Sequence, residues 1–181
     1  MKKVLVTGIS GYVGQHCAAE LLKSGYSVKG SVRSFSKADE VTKGIQKVVD
    51  PKGNLEYCEL DLLNDDGWDQ AMEGCDYVLH VASPFVSSQP KDENDLIKPA
   101  VEGTQRALRS AKRAGVKRVV LTSSMVAMMG DAKGTVEINQ QSWTNVNAKG
   151  VSAYLKSKTL AERGAWDFIK NQKGDDLLEL V

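Results

Sequence analysis

Three side chains are typed and spaced for proton transfer. Tyr154 and Lys158 lie in the run Tyr154-Leu155-Lys156-Ser157-Lys158, and on a helix residues four apart project from one face. An ammonium beside a phenol favours tyrosinate and draws the phenol toward the working range of an acid. Ser124 closes the run VKRVVLTS-S (116–124), where its hydroxyl could donate to a carbonyl oxygen that gains negative charge as hydride arrives. Consecutive strand residues face opposite ways, so only one of Ser123 and Ser124 points at such a site. The reading takes Ser124, with Ser123 as a buried, hydrogen-bonded hydroxyl. Tyr-x-x-x-Lys alone is usually a solvated helix face; it gains meaning here from a glycine turn that precedes it in the chain.

That turn is Thr7-Gly8-Ile9-Ser10-Gly11-Tyr12-Val13-Gly14, directly after the apolar Val4-Leu5-Val6. Gly8 can take the tight turn, Gly11 lets the backbone approach a pyrophosphate, and Gly14 lets helix and strand pack closely. The helix N-terminus offers free N–H groups and a positive dipole end. The second strand ends Ser31-Val32-Arg33-Ser34. An acid there would suit the ribose 2′-hydroxyl of NAD, whereas Arg33, helped by Ser34 and Lys37, suits the 2′-phosphate of NADP. Asp61-Leu62, at the end of the third strand, takes a place beside the adenine by position alone.

The elements that must carry these residues alternate. Strands are expected at Val4–Val6, Ser27–Val32, Leu55–Leu60, Asp76–Ala82 and Val116–Ser123, with a further apolar run at Leu177–Val181. Helices are expected at Tyr12–Ser24, Ser36–Val49, Asp65–Met72, Asn94–Ala114 and Ser152–Asn171, with Pro99 kinking the fourth or opening a second segment. Residues 130–150 read as a loop. This pattern predicts an α/β fold, a Rossmann-type doubly wound parallel sheet in three α/β/α layers. One NAD(P)-binding domain over 1–181 is expected, including the catalytic helix.

Composition narrows the classes. The chain has 181 residues with 24 basic and 23 acidic side chains. Residues 1–90 hold 9 basic and 12 acidic groups against 15 and 11 in the remainder, too even for a nucleic-acid face. Apolar runs are too short for a membrane span, and MKKVLVTG is too short for a signal-peptide core. Cys17, Cys58 and Cys75 fit neither a disulfide framework nor a zinc site. The expectation is a cytoplasmic protein, monomer or homodimer, with no metal, no nucleic acid and no membrane. His80 reads as a packed core histidine and His16 as a surface one. Met125, Met128 and Met129 fit a substrate pocket or ordinary loop packing equally. Trp68, Trp143 and Trp166 read as packing anchors, and Asp92-Glu93 and Asp175-Asp176 as solvated charge.

The sequence resembles the extended short-chain dehydrogenase/reductases, and within them the dihydroflavonol reductase, cinnamoyl-CoA reductase and aldehyde reductase group. The resemblance rests on VTGISGYVG (6–14), SVRS (31–34), DL (61–62), GCDYVLHVASPF (74–85), ENDLIKPAVEGT (93–104), KRVVLTSS (117–124) and YLKSKTLAERGAWDF (154–168). It implies hydride transfer from NADPH to an aldehyde or ketone carbonyl. Tyr154 would be the proton donor, Lys158 would hold the nicotinamide ribose and tune Tyr154, and Ser124 would polarise the carbonyl. Ser10, Gly11, Tyr12 and Val13 would line the pyrophosphate, and Val81, Ala82 and Ser83 the nicotinamide side. The family pattern has a more distal basic residue after Arg33, where this chain has Glu40. Family members also continue into a substrate-binding C-terminal part, expected to be absent from this chain. Two alternatives stand beside this reading: a nucleotide-sugar epimerase or dehydratase of the same fold, which Arg33 and HVASP argue against, and a non-catalytic NADP-binding regulatory protein, which the set Ser124, Tyr154 and Lys158 argues against.

Overall fold

The structure is a computed structural model that describes residues 1–181 except 86–89, 136 and 175–176. Six parallel strands form one sheet: β1 (Lys3–Thr7), β2 (Ser27–Val32), β3 (Leu55–Glu59), β4 (Tyr77–His80), β5 (Arg118–Leu121) and β6 (Glu179–Leu180). Their order is β3-β2-β1-β4-β5-β6, so the chain reverses its direction of travel across the sheet between β1 and β4. Such a reversal is where an open α/β sheet leaves a crevice at the strands' C-terminal ends. The expected doubly wound parallel sheet is the observed one.

Alternation along β1 explains its central place. Val4 and Val6 face a cluster with Ile9, Ala18, Val28, Val41 and Ile45, under helices α1 (Tyr12–Lys23) and α2 (Ala38–Gln46). Leu5 faces the opposite cluster, with Trp68, Met72, Val78, Leu108 and Val119. That side carries α3 (Trp68–Met72), α4 (Asn94–Arg113) and α6 (Ala153–Lys170). A strand buried on both faces reads as the continuous apolar run seen here, each large side chain contributing roughly 1.5–3 kcal/mol.

Several boundaries differ from the sequence expectation, for local reasons. The helix expected from Asp65 starts at Trp68, because Gly67 takes a left-handed conformation (φ 80°) and Asp66 N–H donates to the Asn64 side chain in a turn. The helix expected over Ser36–Val49 opens as one 3-10 turn (Phe35–Lys37) and ends at Gln46. It runs through Gly44, where Gln15 occupies the space a side chain would fill. Pro99 neither starts nor divides α4, which continues through it as one helix. A four-residue helix, α5 (Val126–Met129), was not expected. Asp175 and Asp176, read as solvated charge, lie outside the described residues.

Candidate active site

The glycine turn closes by steric necessity. Gly8 sits at φ +67°, and a Cβ there would come within 2.9 Å of Ala82 Cα. A Cβ on Gly14 would lie 2.4 Å from the Gly8 carbonyl oxygen, so a bare glycine is what lets α1 start against the end of β1. Gly11 is different, since its Cβ would meet only the Gly8 oxygen at 3.4 Å. Gly11 is the N-cap of α1 and has no side-chain cap, and the first turn carries no acid. The first N–H groups of α1 are thus free of capping side chains. Ser10, Gly11, Tyr12 and Val13 are all exposed around them. This is a cradle suited to a phosphate group.

One hydroxyl ties this turn to the end of β4. Thr7 Oγ1 accepts from the Val81 and Ala82 N–H groups at 3.1 and 3.0 Å and lies 2.9 Å from His80 Nδ1. Two donors occupy the hydroxyl's lone pairs, so its own proton goes to Nδ1. His80 is therefore neutral with its proton on Nε2. Burial, reinforced by the Lys158 charge, pushes its pKa down to about 4. The core-histidine reading holds, with this added task of directing Thr7.

At the end of β2, Arg33 is exposed and makes no salt bridge among the described residues. Lys37, expected to help it, is paired with Glu40 at 2.9 Å. The turn between them is held by Glu59, whose carboxylate accepts from Phe35 N–H at 2.7 Å; the sequence reading placed no acid near Arg33, and the parallel register of β2 and β3 brings this one there. After β3, the Asp61 carboxylate accepts from Leu63 N–H, and Leu62 packs where Gly103 of α4 lacks a side chain.

The two serines separate. Ser123 donates a short hydrogen bond to the Glu162 carboxylate, which also accepts from Trp166 Nε1 at 3.3 Å. Ser124 is half-buried, and among the described residues its hydroxyl accepts only a long 3.4 Å bond from Val126 N–H at the start of α5. Ser124 is the freer of the pair. Glu162 escaped the sequence reading, although its place four residues after Lys158 puts it on the same face of α6.

Ser152 caps α6 by accepting from Leu155 N–H, which fixes Tyr154 in the first turn. The Tyr154 ring meets Phe85 edge-on, with centroids 5.7 Å apart. Lys158 is buried and its ammonium donates to the Thr122 carbonyl at 3.3 Å. Burial lowers its pKa below the ordinary lysine value. A small cavity brings Lys158 together with Ala82, Ser83, Thr122 and Ser123. The chain of contacts is continuous: the glycine turn touches Ala82, and Ala82 shares a cavity with Lys158.

The remaining tempting residues sort simply. Met125 and Met129 are exposed at α5, and His16 lies on the surface beside Tyr12. Trp68 is buried, and Trp143 stacks under Arg163. Asp92 bonds Asn94 N–H, while Glu93 pairs with Lys156 at 2.6 Å. Among the described residues, no cluster of His, Cys, Asp or Glu could hold a metal, and no helix is long and apolar enough to cross a membrane.

Comparisons with known proteins agree with this layout. The family model described as the NAD dependent epimerase/dehydratase family matches residues 4–176. Tetraketide alpha-pyrone reductase 1 of Arabidopsis thaliana is 36% identical over 184 residues, covering 99% of this chain and 56% of the relative. A cinnamoyl-CoA reductase of Medicago truncatula is 37% identical, covering 95% of this chain and 54% of the relative. The crystal structure of yeast methylglyoxal/isovaleraldehyde reductase Gre2 complexed with NADPH superposes with a TM-score of 0.86 at 33% identity, covering 98% of this chain and 56% of that one. The chain spans about half the length of the curated relatives it matches.

Proposed function

The chain belongs to the NAD dependent epimerase/dehydratase family, and from that membership we propose that it is the cofactor-binding and catalytic-helix portion of an NADPH-dependent reductase acting on aldehyde or ketone carbonyls. The observation that carries the reading is the close approach of the uncapped glycine turn to Ala82, which with Ser83 shares a cavity with buried Lys158. NADP is favoured over NAD by Arg33, exposed and without an ion pair among the described residues, at the end of β2.

When bound, NADPH supplies the hydride that reduces the carbonyl carbon. Gly8, Ser10, Gly11, Tyr12, Val13 and Gly14 would hold its pyrophosphate against the α1 N-terminus, with Arg33 and Lys37 at the 2′-phosphate and Asp61 and Leu62 at the adenine side. Val81, Ala82 and Ser83 would face the nicotinamide. Ser124 donates a hydrogen bond to the carbonyl oxygen, which stabilises the negative charge that builds there. Tyr154 gives its phenolic proton to that oxygen, so the product is an alcohol and the residue is left as tyrosinate. Lys158 would hold the nicotinamide ribose and would stabilise the tyrosinate by its charge.

NADPH oxidation over a panel of aliphatic and aromatic aldehydes tests this, with Tyr154→Phe in parallel. The expected result is turnover at least about 100-fold lower in the variant, the scale of general acid catalysis, with unchanged NADPH affinity. NADPH binding without any turnover, in this chain and in one extended to the relatives' length, would favour the non-catalytic binder.

A further inference from the structure

Arg106, in the middle of α4, joins the β3–α3 turn to its own helix. Its Nη1 donates to the Leu62 carbonyl at 2.8 Å and to Glu102 at 3.1 Å, and its Nε donates to Asp65 at 2.5 Å. The guanidinium side chain is 16% exposed although Asp65 is almost fully so, so Arg106 reaches up from beneath the β3–α3 turn. Two further contacts hold the same turn. Leu62 fills the space left by Gly103, one turn of α4 before Arg106, where a Cβ would meet Leu62 at 2.5 Å. Trp68 Nε1 donates to the Asp61 and Asn64 carbonyls at 3.2 and 3.0 Å. Asp61 and Leu62 thus have their backbone direction set by these contacts, and Asp61 itself stays exposed.

We propose that Arg106 is a positioning residue for the adenosine end of the cofactor, acting by holding the Asp61–Asp65 turn against α4. A planar guanidinium is needed because its fork satisfies a backbone carbonyl and two carboxylates at fixed directions, which a lysine ammonium does not reproduce. The inference rests on the reading that Asp61 and Leu62 border the cofactor, and it adds what fixes them there. The same helix also bonds α6, through Gln105 to the Gly164 carbonyl at 2.8 Å, so α4 links the adenosine side to the helix that carries Tyr154 and Lys158.

The test measures affinity for adenosine 2′,5′-bisphosphate, which carries the adenosine half alone, together with amide hydrogen exchange along the chain. Arg106→Met keeps length and apolar stem but removes the donors. It should weaken the bisphosphate about tenfold, the scale of one lost hydrogen bond from a charged group, and speed exchange over residues 61–66 while residues 8–14 exchange as before. Asp65→Asn, an exposed site where folding is secure, should move both readouts in the same direction by a smaller amount. Unchanged affinity in both variants, or faster exchange spread equally to residues 8–14, overturns the proposal. A parent chain that does not bind the bisphosphate at all would instead remove the cofactor reading on which it rests.

Discussion

The turns after β1 and after β5 do similar jobs by different means. Each leads from the C-terminal end of a sheet strand toward a helix. The first is closed by backbone contacts that only missing side chains allow: Gly8 against Ala82, and Gly14 against the Gly8 carbonyl. The second is wired by side chains, with Ser123 on Glu162, Glu162 on Trp166, Lys158 on the Thr122 carbonyl, and Thr144 bridging Gly130 N–H and the Val126 carbonyl. A turn built from absent atoms tolerates no addition at Gly8 or Gly14, whereas one built from hydrogen bonds can lose a member and keep its course.

The sharpest test of that contrast is Gly14→Val. Its Cβ would lie 2.4 Å from the Gly8 oxygen and 2.9 Å from Ile9 Cα, both backbone atoms, so the turn itself must move. Loss of measurable NADPH binding is expected, with a destabilisation of about 3 kcal/mol or more seen in thermal melting. Gly11→Ala, with a contact of only 3.4 Å, should fold and melt like the parent. Equal damage from both would break the steric account.

A smaller effect separates the serines. Ser124→Ala should reduce aldehyde turnover about 100-fold, the scale for loss of one donor to a developing oxyanion. Ser123→Ala should leave turnover within about tenfold and instead lower the melting temperature, because Glu162 loses a partner worth about 1–3 kcal/mol. The reverse pattern would exchange their roles.

The smallest effect concerns acid. His80 binds a proton at about pH 4 when folded, against an ordinary 6.5, so the unfolded chain takes up the proton first. Its contribution is complete above the ordinary value and is lost as pH falls toward 4, by about 2 kcal/mol at roughly pH 5. Melting over this range should show that slope in the parent and a flatter one in His80→Asn, which keeps an acceptor for Thr7 but cannot titrate. Identical slopes would mean that the joint between the first turn and β4 does not depend on the neutral imidazole.

The same contrast decides what could be read from the sequence. The glycine turn is legible because its spacing and its strand-turn-helix setting specify geometry by themselves, and β2 was placed at its observed bounds for the same kind of reason. Starts and stops were less legible where one residue overrides a pattern. Gly67 delays α3, and α5 is too short to show any periodicity. The serine pair was half legible: alternation showed that one hydroxyl must turn away, but only the approach of α6 to β5 reveals Glu162 as its partner. Arg106 and Glu59 were invisible for the same reason, since their partners come from neighbouring elements through the sheet order and not through sequence spacing.

The central place of β1 also sets a timetable for assembly. As the chain is synthesised, β1 appears first, and its partner β2 follows soon, with Lys3 meeting Ser27. Its other partner comes much later, when Val4 meets Tyr77 of β4. Closing the longer loop costs more entropy before any contact rewards it. The β3-β2-β1 half, with α1 and α2 laid against it, can therefore form while α4 is still inside the ribosome. Until β4 arrives, the far edge of β1 presents unpaired N–H and C=O groups and the Leu5 face lacks its cover, which makes that half-built sheet the state a chaperone would need to shield.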